Sequence, residues 1–218
     1  MSAMLGERTA RACAMFGLMP GAVTEPPAID GAALRAIHEL DAREQGRVVF
    51  ITGPSGAGKS TLLRAIASGW PGPVVTPPLK LREVPVAEQC KRLSLERWMG
   101  VLARSGLAEA RIFPRTPRQL SVGERARLCV ALAIARVPEA ESAPGRAPSL
   151  VVLDEFASTL DRISGRGLAV TVSRWAKRTA GLVVICATSH RDIRRSLRAD
   201  LEICLDLGGS ASVLGAMS

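Results

Sequence analysis

The sequence predicts an α/β fold: a mostly parallel sheet with helices on both faces. Two observations lead there. Apolar β-type runs at residues 48–51, 150–153, 182–187 and 201–207 alternate with segments whose apolar residues recur at helical spacing. Strands that alternate with helices pair in parallel and bury both faces of their sheet. Glycines and prolines punctuate the boundaries between these segments, and no internal repeat is visible.

The elements follow in order. Residues 7–18 form a short arginine-containing helix candidate, joined by a Pro/Gly-containing link to a helix or strand ahead of Gly46. The β-branched run 48–51 (VVFI) is a strand ended by glycines. Residues 60–68 carry Leu62, Leu63 and Ile66 at helical spacing and stop at Gly69 and Pro71. A short strand at 73–76 precedes Pro77-Pro78. Residues 84–113 read as two helices. The first carries Val86, Cys90 and Leu93 on one face, the second Leu95, Trp98, Met99 and Leu102, and Gly106 closes the pair. A helix over 122–137 has Leu128, Ala131, Leu132 and Ala135 on one stripe and ends at Pro138. Residues 138–148 are loop by composition, and a helix over 163–180 has Gly181 at its C′ position.

Composition sets limits on function. At 218 residues the chain is one domain, or one with an appendage, and its 47% hydrophobic and 22% charged residues can build a core. Aromatics are 3% with no Tyr, which leaves few rings for stacking on single-stranded bases. The net charge of +9 permits an acidic partner or nucleic acid. The arginines are nevertheless spread along the chain without a block of like charges, so the basicity reads as background and nucleic acid is not favoured. Five cysteines, widely spaced and without C-x-x-C, support neither zinc nor a disulfide framework; they read as reduced thiols of a cytoplasmic protein. No apolar run approaches a membrane span, so direct membrane insertion is not expected.

Three stretches carry chemistry. Gly53-Pro54-Ser55-Gly56-Ala57-Gly58-Lys59-Ser60 matches G-x-x-x-x-G-K-[ST] in full, with Thr61 next at the head of the helix. Such glycines let successive N–H groups turn inward around phosphate oxygens, the lysine reaches the β/γ-phosphates, and the serine hydroxyl ligates Mg²⁺. Residues 150–155 (LVVLDE) are an apolar strand ending in two carboxylates. In P-loop proteins the first, Asp154, is placed to hold Mg²⁺, and the second, Glu155, to orient and polarise an attacking water. Thr188-Ser189-His190 follows another apolar strand, at the sheet edge where ligands bind in open α/β folds, so His190 is placed to donate to a γ-phosphate. Ser121-Val122-Gly123-Glu124, within RQLSVGERARL, fits the Ser-x-x-Glu capping box of a helix start.

Taken together, these segments resemble the nucleotide-binding domain of ATP-binding cassette (ABC) ATPases: P-loop, helical insert, signature stretch, Walker B with Glu, D-loop and H-loop follow in that order. The match covers roughly residues 28–208, with Asp161 six residues and His190 35 residues after Glu155. The resemblance implies a P-loop NTPase fold with a helical insert at about 84–120. It implies an N-terminal extension over 1–27 and a single ATPase domain over 28–218. Lys59, Ser60, Asp154, Glu155 and His190 are assigned to one ATP and its Mg²⁺; Ser121, Gly123 and Asp161 are assigned to the ATP of an opposing copy in a head-to-tail dimer.

The chain departs from the family pattern in four ways. Val122 stands where the signature has its first Gly, and Glu124 where Gln is common. Lys59 and Ser121 are only 62 residues apart, which trims the antiparallel β-subdomain. No Q-loop glutamine occupies the region around Thr76, Gln89 falling in the insert. Pro26 and Pro27 lie where an adenine-stacking aromatic would stand. LDEFASTLDR and ATSHRDIRRSLRADL are most similar to a small group of soluble ABC-type ATPases, some joined to an acetyltransferase-like domain for which these residues leave no room. The expected function is therefore ATP hydrolysis by a soluble cassette that drives a change in a protein partner. The nucleotide-binding subunit of a transporter is the alternative. An SMC-type ATPase lacks room for its coiled coil, and a small-molecule kinase would not use the Asp154-Glu155 pair with His190 to favour water.

Overall fold

The structure, a computed structural model, describes residues 7–15, 31–78, 80–138, 147–207 and 210–215. Six strands form one sheet: β1 (Arg47–Thr52), β2 (Val74–Val75), β3 (Ser149–Leu153), β4 (Leu182–Thr188), β5 (Leu201–Leu205) and β6 (Ala211–Gly215). Their spatial order is β2-β3-β4-β1-β5-β6, all pairs parallel except β5 with β6. The central strands β1, β3 and β4 are buried at nearly every position, as expected of parallel strands covered on both faces. The chain runs from β1 out to β2 and returns through β3 and β4 beside it. The C-terminal ends of β3, β4 and β1 therefore stand next to one another, and it is at such a reversal of strand order that open α/β sheets bind ligands.

Helices cover both faces. The helices α2 (Gly31–His38) and α3 (Lys59–Gly69) place Ile37, Leu62, Leu63 and Ile66 against Val49, Ile51 and Ile185. On the other face lie α4 (Leu95–Arg104), α5 (Val122–Arg136), α6 (Arg162–Lys177) and α7 (Arg194–Leu197), whose Leu128, Leu168, Val172 and Leu197 join Val48, Phe50 and Val184. A separate helix, α1 (Glu7–Met15), matches the start of the N-terminal helix candidate; residues 16–18 of that candidate lie outside the described residues, as do Pro26, Pro27 and 139–146.

Several sequence expectations are corrected. The first insert helix is only a 3₁₀ turn, Val86–Glu88. Pro85 precedes it, and the N–H groups of Val86 and Ala87 donate to Arg115 O and Phe113 O, so cross-chain bonds replace the helical ladder. In α4 the buried residues are Trp98, Val101 and Leu102, whereas Leu95 and Met99 are exposed. The helix α6 ends with Arg178 as its C-cap, and Gly181, at φ +69°, instead turns the chain into β4, its N–H donating to Ala42 O at 2.7 Å. Leu207 lies beyond β5 and is exposed, and β6 adds an antiparallel edge strand that the sequence reading did not anticipate.

Trp98 is the pin of the insert: fully buried, with Nε1–H donating to Val86 O at 2.9 Å. Replacing it with Phe removes that donor and part of the buried volume. Urea denaturation is expected to show a loss of about 1–2 kcal/mol; an unchanged midpoint would mean that the 3₁₀ turn does not depend on this bond.

Candidate nucleotide-binding site

The loop between β1 and α3 is shaped by its glycines. Gly56 and Gly58 take φ of +83° and +87°, a region that costs a residue with a Cβ about 1–2 kcal/mol. A Cβ on Gly56 would meet nothing within 4 Å, so its glycine answers to the backbone conformation and not to a close neighbour. Lys59 is buried, and its Nζ donates to Gly53 O at 2.9 Å and Pro54 O at 2.8 Å. An ammonium has three protons to give; two are directed at these carbonyls, which carry no formal charge to balance it. The loop is therefore a cationic cradle at the head of a helix, where backbone N–H groups also favour an anion.

The carboxylates at the end of β3 meet this cradle. Ser60 Oγ donates to Asp154 Oδ2 at 2.7 Å, which brings together two residues 94 positions apart. A hydroxyl and a carboxylate are hard oxygen ligands, a donor set that fits Mg²⁺ and not a thiophilic metal. Asp154 Oδ1 also accepts from Glu155 N at 2.9 Å, so the first carboxylate orients the backbone of the second. Glu155 is exposed and takes φ +49°, and Ala157 takes φ +59°. Two non-glycine residues in the left-handed region within three positions store strain, of order 1–3 kcal/mol each. The turn is held by Phe156, buried in the core with its N–H donating to Ala187 O at 2.8 Å. His190 stands two residues past β4, its side chain exposed and its N–H donating to Thr188 Oγ1 at 3.2 Å. The loop residues Gly53 to Thr61, Asp154, Glu155 and His190 therefore follow three neighbouring strands at one edge of the sheet.

Ser121, Gly123 and Asp161 are held differently, at the heads of α5 and α6. Ser121 Oγ accepts from Glu124 N at 3.2 Å while Glu124 Oε2 accepts from Ser121 N at 2.7 Å, so the capping box is present. The Ser121 N–H, with burial opposing, holds the Glu124 carboxyl below the usual carboxylate range. The Ser121 hydroxyl also lowers the pKa of the Glu124 carboxyl, so the cap uses both its backbone and its side chain. Asp161 caps α6 through Oδ1, which accepts from Ser164 N at 2.9 Å, and its Ser164 bonds lower its pKa. The bonds of Ser121 and Asp161 thus stay within their own turns. Val122 and Ile163, beside them, are exposed apolar side chains at 53% and 84%.

The structure adds a reason for Gly123 that the sequence did not show. A Cβ there would lie 2.9 Å from Leu160 Cδ2, so the glycine lets the head of α5 pack against the turn that leads to Asp161. Gln89 is also explained: it is buried, and its Nε2 donates to Arg82 O and Val84 O, a structural role inside the insert.

Comparison with known proteins agrees with this geometry. The family model described as ABC transporter matches residues 42–73, the stretch that contains β1, the phosphate loop and α3. The chain is 30% identical over 203 residues to Protein STAR1 of Oryza sativa subsp. japonica, covering 76% of this chain and 53% of that protein. It is 26% identical over 204 residues to the maltose/maltodextrin import ATP-binding protein MalK of Photorhabdus laumondii, covering 79% of this chain and 52% of that one. The chain thus spans about half the length of these relatives. Its fold matches the dimeric structure of MJ0796, a bacterial ABC transporter cassette, with TM-score 0.60, 20% identity, 82% of this chain and 89% of that chain covered. The phosphate-loop stretch thus carries the ABC family match, and the fold is that of an ATP-binding cassette domain.

Proposed function

We propose that the chain binds and hydrolyses ATP with Mg²⁺, two copies closing head to tail around two nucleotides in the cytoplasm and opening after hydrolysis to move a protein partner. The observation that carries this reading is the bond between Ser60 and Asp154 at the mouth of the Lys59 loop. It places a hydroxyl and a carboxylate together beside a phosphate cradle. A divalent cation held by these two residues would supply neutralising charge to the phosphates. Lys59 binds the β/γ-phosphates, the loop N–H groups from Gly53 to Thr61 enclose them, Glu155 orients a water and takes its proton, and His190 donates to the γ-phosphate. Ser121, Gly123 and Asp161 meet the nucleotide of the other copy. The exposed Val122 and Ile163 beside them fit a surface that is covered when two copies close.

For the partner, the names of relatives such as the MalK protein support a separate membrane subunit. The commitment of Gln89 to backbone carbonyls of its own insert supports the non-transport reading, because no other glutamine stands near Thr76 to couple the site to such a subunit. Among the described residues no helix is long and apolar enough to cross a membrane itself. Co-purification with an integral membrane protein would decide for the transporter.

Glu155→Gln tests the hydrolytic reading. General-base assistance contributes typically 10²–10⁴-fold, so phosphate release is expected to fall by about that factor. ATP binding persists, and the variant should elute as a dimer with Mg²⁺ and ATP. A monomer under those conditions, or undiminished phosphate release, would overturn the assignment.

A further inference from the structure

We propose that the layer formed by α6 and the segment 191–198 is a binding surface for the phosphate backbone of duplex nucleic acid. The argument begins with charge placement. Residues 162–198 hold nine Arg or Lys residues against the single carboxylate of Asp192, a net of +8 within a chain of net +9. In sequence these residues are dispersed; the fold collects them.

The helix α6 and the segment that contains α7 lie side by side on one face of the sheet, with Leu168, Val172, Ile193 and Leu197 in one apolar cluster. Arg166 pairs with Asp192 at 4.0 Å near their starts, and Lys177 with Asp200 at 3.6 Å near their ends, so the two segments run in the same direction. At about 100° per residue, Arg162, Arg166, Arg174 and Arg178 fall within an arc of roughly 160° on α6. Leu168, Val172 and Ala176 fall on the opposite, buried arc. Arg191, Arg194, Arg195 and Arg198 form the neighbouring row, and all eight arginines are exposed.

The carboxylates nearby are already engaged: Asp192 by Arg166, Asp200 by Arg47 and Lys177, and Glu202 by Arg194. Among the described residues no carboxylate pairs with Arg162, Arg174, Arg178, Arg195 or Arg198. Five guanidinium groups, on a layer whose helix is about 24 Å long, face solvent unneutralised. Each is a planar fork matched to phosphate oxygens, and a duplex presents one charge per about 1.7 Å along its axis.

The chemistry of the face selects among polyanions. Anionic lipids also attract basic clusters, but interfacial helices add apolar side chains that insert, and Ile163, at the extreme head of α6, is the one exposed large hydrophobic residue on this layer among those described. Protein interfaces combine arginine with Trp and Tyr anchors seated in desolvated pockets, and these rows supply the arginine without the aromatic rings. Single strands are held by stacking platforms, and the chain has no Tyr and few other aromatics. The face is best matched to backbone charge on a duplex, without base readout.

The test is fluorescence anisotropy of a labelled 30-base-pair DNA duplex titrated with the full chain at several salt concentrations. With about five phosphate contacts, log K is expected to fall against log[salt] with a slope of about −4 to −5. The fourfold variant Arg174→Gln, Arg178→Gln, Arg195→Gln, Arg198→Gln should bind at least about tenfold more weakly and lose most of that slope. A charge-matched control, Arg35→Gln, Arg43→Gln, Arg64→Gln, Arg104→Gln, alters exposed arginines outside this layer and should bind as the wild type does. Thermal melting of both variants checks that they fold. Equal losses in the two variants would return the basicity to background and overturn the proposal. So would the absence of wild-type binding at low salt, or tighter binding to phosphatidylserine vesicles or polyglutamate than to the duplex. Neither variant touches the nucleotide site, so ATP binding and duplex binding fail or succeed independently.

Discussion

Lys59→Ala is expected to remove measurable ATP binding and to reduce phosphate release to background. The side chain is buried at the floor of the loop, and two of its three donors are held by Gly53 O and Pro54 O. Those bonds hold the ammonium in the loop, and no carboxylate among the described residues pairs with it. A charge-assisted hydrogen bond is worth about 1.5–3 kcal/mol, and losing contacts to both β- and γ-phosphates together multiplies to a loss of affinity on the order of 10²–10⁴-fold. The loop's glycines hold its shape independently, so the variant should retain the wild-type melting temperature without nucleotide and lose only the stabilisation that ATP confers by mass action. Isothermal titration and melting with and without ATP measure both quantities. Undiminished ATP affinity would show that the loop does not bind phosphate through Lys59, whereas a variant that melts early without nucleotide would mark the lysine as a structural staple.

The parts of the site that were legible in the sequence are those whose chemistry is local. The phosphate loop is written in consecutive residues because its glycines and its lysine belong to one turn and one helix start. The Ser121–Glu124 capping box is likewise complete within four residues, and the structure forms it. The apolar runs of β1, β3 and β4 are continuous because both faces are buried, so their strand character does not depend on neighbours.

What was not legible depends on contacts between distant segments. The expected first insert helix lost to backbone bonds with residues 113 and 115, which no periodicity within 84–93 could reveal. The strand β6 is read from ASVLG, a weakly apolar edge segment specified by its pairing with β5. Gly123 was legible as a small residue near a helix start, but its close approach to Leu160 comes from the turn after β3. The arginines of α6 and 191–198 looked dispersed because side-by-side packing, not sequence adjacency, brings them together.

The second large effect concerns the heads of α5 and α6. Ser121→Arg should abolish phosphate release while leaving ATP affinity at Lys59 unchanged. Serine at this position accepts from Glu124 N at an exposed helix head, and the neighbouring Val122 is exposed. Arginine would lose the cap, at a cost of about 0.5–2 kcal/mol, which is too little to unfold a domain of ordinary stability. Its larger effect is bulk at the surface that, in the proposed dimer, faces the opposing nucleotide. The proposed head-to-tail closure makes a sharper demand: each composite site would take Lys59 from one copy and Ser121 from the other. Mixing Ser121→Arg with Lys59→Ala, both inactive alone, should therefore restore phosphate release. In a mixed pair, one of the two sites joins the intact Lys59 of the first variant to the intact Ser121 of the second. At equal amounts with random pairing, half the pairs are mixed and each has one working site, so recovery to roughly a quarter of the wild-type rate is expected if sites act independently. No recovery at concentrations where the wild type dimerises would mean that Ser121 and Lys59 serve the same nucleotide within one copy, or that both sites must be intact at once. A pair joined by a linker, with only one site disabled, separates these two outcomes: retained activity excludes the requirement for both sites and leaves the head-to-tail assignment overturned.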